Sequence, residues 1–162
     1  MTISKWTVPF LVLTCAIASQ AATQQRATQE KEKKLKRSEL PAAVLKAVEQ
    51  ESQGATISGY SSEMDDGQLV YEVTMRVRGH GRDVLIGANG SVLEVEEEVT
   101  LESLPATVKD GLLHLAGSGT ITKVESLTKR GILVAYEAHV RTGAKRSEIQ
   151  VGPDGKPLAH PE

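Results

Sequence analysis

Leu40-Pro41-Ala42-Ala43-Val44 returns 64 residues later as Leu104-Pro105-Ala106-Thr107-Val108. At the same offset Thr56-Ile57 returns as Thr120-Ile121 and Gly67 as Gly131. One residue of slippage then pairs Tyr71-Glu72 with Tyr136-Glu137, Arg76 with Arg141, Asn89-Gly90 with Asp154-Gly155, and Leu93 with Leu158. Matches kept in one order across two blocks mark an internal duplication.

Each copy opens with a helical pattern. Leu40, Val44, Ala47 and Val48 lie at i, i+4, i+7 and i+8, and Leu104, Val108, Leu112 and Leu115 repeat the stripe. Pro41 and Pro105 fit the first turn, which has no intrahelical N–H bond to lose. Gly54 and Gly117-Ser118-Gly119 are stop signals. After each helix the period changes to two. Leu69, Tyr71, Val73, Met75 and Val77 alternate with Val70, Glu72, Thr74, Arg76 and Arg78 in the first copy, and the second puts Val134, Tyr136, Ala138 and Val140 on one face with Glu137, His139 and Arg141 on the other. Asp65-Asp66-Gly67, Asn89-Gly90 and Asp154-Gly155 read as hairpin turns. Strands are expected near 55–63, 68–78, 82–87 and 91–99, and again near 120–128, 132–142, 145–151 and 156–159. The fold class is therefore α+β, a tandem repeat of two units over 38–101 and 102–162. Each is one helix packed on a four-stranded antiparallel sheet, giving one pseudo-symmetric monomer with two adjoining sheets.

Upstream of the repeat the sequence changes character. Residues 1–21 carry Lys5, an apolar run from Trp6 to Ala18, and small Ser19 and Ala21 where a cut would need them, the pattern of a signal peptide. The run is too short for a bilayer-spanning helix, which takes ~20 apolar residues. Lipid anchoring at Cys15 is a lesser alternative. The expected protein is exported, periplasmic or secreted, and its mature chain from Ala22 has no Cys, Trp, Phe or transmembrane segment. Disulfides and thiol chemistry are thereby excluded. Residues 22–37 form a basic arm of charge +4, expected to be a flexible solvated linker, while 38–162 carry −7. An acidic body is a poor match for a phosphate backbone, so no nucleic-acid partner is expected.

The order Leu-Pro-Ala-x-Val, helix, Thr-Ile, turn glycine, Tyr-Glu on an alternating strand, and Asn/Asp-Gly resembles the PepSY-like group. It is also similar in plan to the beta-lactamase-inhibitor-protein-like tandem repeats. The likeness covers about residues 38–158. It implies an exported, non-enzymatic binding module that inhibits or regulates a peptidase or other hydrolase by occlusion.

The residues themselves carry no catalytic motif: GxSxG, HExxH, a P-loop, GxGxxG and zinc-type Cys/His spacings are all missing from the mature chain. No catalytic residue and no cofactor are expected. His80, His114, His139 and His160 are isolated from one another in sequence and read as surface or boundary residues rather than metal ligands. Tyr71 and Tyr136 read as core residues with a hydroxyl at the edge. The candidate protein-binding residues are Glu72, Thr74, Arg76, Glu137, His139 and Arg141 on the polar sheet face. To these the resemblance adds the acidic hairpin tip Asp65-Asp66; the second tip is the basic Lys129-Arg130. The alternative function is a small-ligand or cation-binding accessory protein of the cell envelope using Glu94, Glu96 and Glu98, which share one side of a strand. Those three equally suit the charged face of an edge strand.

Overall fold

The computed structural model describes residues 32–65 and 67–162. The expected signal peptide, Cys15, the first part of the basic arm and Asp66 lie outside these residues.

Eight strands form one antiparallel sheet in sequence order: β1 Lys33–Leu35, β2 Ala55–Asp65, β3 Gln68–Val77, β4 His80–Gly87, β5 Val92–Glu98, β6 Thr120–Lys129, β7 Ile132–Thr142 and β8 Lys145–Val151. Helix α1, Ala42–Glu51, connects β1 to β2, and α2, Ala106–Ala116, connects β5 to β6. A 3-10 turn precedes each helix, at Arg37–Glu39 and Leu101–Ser103. The carbonyls of Pro41 and Pro105 accept the first helical bonds, from Leu45 and Lys109.

Three aspects of the layout differ from the sequence expectation. The sheet is continuous rather than two adjoining four-stranded sheets, because β5 pairs with β6 from Glu94↔Lys129 to Glu98↔Glu125. The strand expected at 156–159 is reduced to one bridge, Val151↔Pro157; proline brings no N–H to a ladder. Part of the expected flexible arm is also ordered. Lys33–Leu35 pairs with Ser62, Ser61 and Tyr60 of β2, and Leu35 packs against the core.

Both helices cover the same side of the sheet, each over its own cluster. Under α1 lie Val44, Ala47 and Val48 with Tyr71, Val73, Met75, Val84 and Ile86. Under α2 lie Val108 and Leu112 with Val124, Ala138 and Val151. The helical stripes thus face inward as their spacing requires, except that Leu115 is exposed at the end of α2. Tyr71 and Tyr136 both belong to these cores.

Each helix start is seated on a glycine turn. A Cβ on Gly90 would stand 2.7 Å from the Ala43 carbonyl oxygen, and one on Gly155 would strike the Thr107 carbonyl. Both glycines have positive φ, +85° and +80°, so the turn and the close approach each demand glycine. Ala43 and Thr107, like Gly90 and Gly155, are repeat-equivalent positions.

Candidate functional site

Both helices lie on one side, and among the described residues no helix covers the other face of the sheet; the chain end reaches it, where the Glu162 N–H donates to Gln150 Oε1 at 2.8 Å and the Glu162 carboxylate lies 3.6 Å from Lys129 Nζ. Alternation assigns the residues. Tyr71, Val73 and Met75 enter the first core, so Glu72, Thr74 and Arg76 point the other way; Tyr136 and Ala138 enter the second, so Glu137, His139 and Arg141 do likewise. All six sequence candidates stand on this open face. Asp65, exposed at the end of β2, pairs with Gln68 in alternation with Glu63↔Val70 and Ser61↔Glu72, so it stands on the same face, at a cleft of about 450 Å³ that it shares with Glu94 and Lys129.

Glu94, Glu96 and Glu98 are on the same face, since Val95 packs toward the core. Their strand is not an edge, as β4 and β6 pair on either side of it. The row does not act as a unit. Glu94 lies 3.7 Å from Lys129 Nζ, and Glu98 accepts the Gly81 N–H at 2.8 Å. Glu96 instead faces Asp83 directly across β4, and its carboxylate, with those of Asp83 and Glu125, falls in a cluster whose ligand atoms lie within 4.8 Å of one another.

The register concentrates acid at the centre. One row across the sheet reads Glu98↔Glu125↔Glu137↔Gln150, and the next contains Thr74↔Asp83↔Glu96. Glu125 is the most enclosed of these, with 3 % of its side chain exposed. Lys123 Nζ holds its Oε1 at 2.5 Å, and His139 Nε2 lies 3.0 Å from its Oε2. Glu137 accepts a hydrogen bond from Gln150 Nε2 at 2.7 Å.

Crowding shifts the protonation of this face. Burial, then the charges of Glu125, Glu94, Glu137 and Asp83, push the Glu96 carboxyl up to about 8. Glu72 is also raised, by burial first and then by Asp83, with the Thr74 hydroxyl opposing. Burial pulls the Lys123 ammonium down, but its hydrogen bond to Glu125 and the surrounding carboxylates more than offset this and leave it raised. A depression of about 150 Å³ between Glu63, Glu72, Asp83, Leu85, Glu94 and Glu96 opens on this acidic region. Toward the far end the charge reverses, where Arg141 pairs with Arg146 beside a cleft of about 550 Å³ that also exposes Thr122 and His139.

Asp83, Lys123 and Glu125 belong to this site and were not singled out by sequence. Glu125 stands between Val124 and Leu127 in a strand whose alternation breaks at two bulges, Ile121/Lys123 and Leu127/Thr128. A bulge inserts a residue and reverses which face the following ones take. The same effect leaves Val134, expected among the core residues, between the paired Leu133 and Ala135. Co-alternation of Lys123, Glu125 and Leu127 was the available signal, and it required placing the first bulge.

Among solved structures the fold recurs. A BLIP-like protein from Bacteroides fragilis matches with a TM-score of 0.56 and 20% identity over 74% of this chain and 83% of its own. A candidate periplasmic protein from Bacteroides eggerthii gives 0.61 and 17% over 74% and 86%, and a DUF2874 family protein from Bacteroides ovatus 0.58 and 17% over 74% and 84%. No helix among the described residues is long and apolar enough to cross a membrane. No protein-family model and no curated protein matches the sequence. The chain therefore shares the α+β fold of BLIP-like and DUF2874 family proteins, one antiparallel sheet with two helices on one side.

Proposed function

We propose that this chain is an exported, non-enzymatic binding module that seats a basic protrusion of another protein on the open face of its sheet. The observation that carries the reading is the acidic centre of that face. Glu72, Asp83, Glu94, Glu96, Glu98, Glu125 and Glu137 crowd onto five adjacent strands, β3 to β7, with no helix of the described residues above them. Such a field steers and orients a positively charged partner. The partner class we favour is an exported peptidase or other hydrolase, held by occlusion. The likeness to the BLIP-like protein from Bacteroides fragilis supports this choice, as does the signal-peptide pattern at residues 1–21.

The test is capture from the native envelope and secreted fractions with residues 22–162 as bait, beside a Glu63→Lys, Glu72→Lys, Glu94→Lys variant. A hydrolase retained by the parent, released by salt, lost by the variant and slowed by the parent in an activity assay is the expected result. Equal retention of the same proteins by parent and variant would overturn it.

A further inference from the structure

We propose that Glu125, Glu137 and His139 form a binding site for a divalent transition-metal ion of the zinc type. The site shares the open face with the binding surface above but does not depend on it.

Three donors from two paired strands lie close together on one face. Glu125 and Glu137 are directly opposite on β6 and β7, and His139 follows Glu137 by two residues on the same face. His139 Nε2 lies 3.0 Å from Glu125 Oε2 and 3.6 Å from Glu137 Oε1. One ligand atom from each residue falls within 4.8 Å of the others. Around a tetrahedral ion with bonds of roughly 2.0–2.1 Å, neighbouring donors stand about 3.3 Å apart. The two observed separations bracket that value.

The atoms that do not converge are held from outside. Lys123 grips Glu125 Oε1 at 2.5 Å, Gln150 donates to Glu137 Oε2 at 2.7 Å, and Glu148 Oε1 faces His139 Nδ1 at 3.6 Å. Outer partners of this kind fix the orientation of metal-ligating carboxylates and imidazoles. Beyond Glu125 the acid continues. Asp83, whose Oδ1 is buried with no hydrogen-bond partner, clusters with Glu96 and Glu125. The region therefore holds more negative charge than Lys123 balances.

The duplication supplies an internal comparison. Ser61↔Glu72 is the same register pair in the first copy as Glu125↔Glu137 in the second, and Thr74 occupies the position of His139. The fold thus accommodates Ser and Thr at these places, so a buried glutamate and a histidine there are not demanded by the sheet. An imidazole among three protein ligands favours zinc-type ions over calcium, which takes six to eight oxygens. The His139 side chain is 36 % exposed, so a fourth position is within reach of water or of a donor from a partner.

Calorimetric titration of the purified chain with Zn²⁺, and separately with Ca²⁺, tests the site. The expected result is one equivalent of zinc, no calcium uptake at this trio, and affinity weakened at least roughly tenfold by His139→Ala and by Glu137→Gln. Circular dichroism on both variants checks that they remain folded, and the exposed His80→Ala serves as a control that keeps parental affinity. The imidazole resonances of His139 should shift on zinc addition. Unchanged zinc affinity in folded His139→Ala, or no zinc uptake by the parent, would overturn the proposal and leave the trio as an ion pair of His139 with two carboxylates.

Discussion

His139 Nε2 stands 3.0 Å from Glu125 Oε2, and Glu125 is almost wholly enclosed although it lies on the side of the sheet that neither α1 nor α2 covers. Its neighbours achieve that enclosure: Glu98 and Glu137 flank it across β5 and β7, and Lys123 crosses to its Oε1. A carboxylate taken out of water needs compensation from nearby positive charge. Here the Lys123 ammonium stands 2.5 Å from Oε1.

Lys123→Met keeps the aliphatic stem and removes the ammonium. The loss leaves Glu125 poorly compensated, so we expect about 2 kcal/mol less stability at pH 7. Denaturant unfolding of both proteins at pH 7 checks this.

Glu96 and Glu72 make stability fall as pH rises. Both carboxyls keep their protons to higher pH in the folded chain than in the unfolded one, so between the two values the unfolded state binds fewer protons and is favoured. For Glu96 the loss begins above the ordinary carboxylate range, near 4.5, and is complete above about 8. In the presence of a chelator, melting temperatures taken from pH 5 to 9 should decline across that window, and Glu96→Gln should flatten the decline.

Gly90→Ala and Gly155→Ala should each cost about 3 kcal/mol. Each combines a left-handed backbone with a Cβ driven into the first turn of a helix. Gly131→Ala is the comparison, because its φ of +81° is equally strained while no atom lies within 4 Å of the added Cβ. It should cost about 1–2 kcal/mol.

Leu112→Ala empties a fully buried position under α2 and should cost about 3 kcal/mol. Leu115→Ala, on the exposed end of the same helix, should change stability by no more than about 0.5 kcal/mol. Chemical denaturation measures both.

The sequence made the helices and most strands legible because they rest on local signals. The stripe Val44, Ala47, Val48, the alternation Tyr71, Val73, Met75 and the glycine turns each report their own geometry without reference to distant residues. The join of β5 to β6 was not legible, since nothing within Glu94 to Glu98 tells whether a strand ends a sheet or continues it. Glu72, Glu137 and His139 could be assigned to one face by period alone. Their convergence with Asp83, Lys123 and Glu125 could not, because it depends on cross-strand register and on a bulge between Ile121 and Lys123. Pro157 and Pro161 near the chain end were the available warning against a strand at 156–159.

The open acidic face is the centre of this account, and the most direct measurement is partner retention by residues 22–162 against the Glu63→Lys, Glu72→Lys, Glu94→Lys variant at physiological salt. The expected result is an exported hydrolase that the parent retains and the charge-reversed face releases. Retention that is the same for both would contradict it.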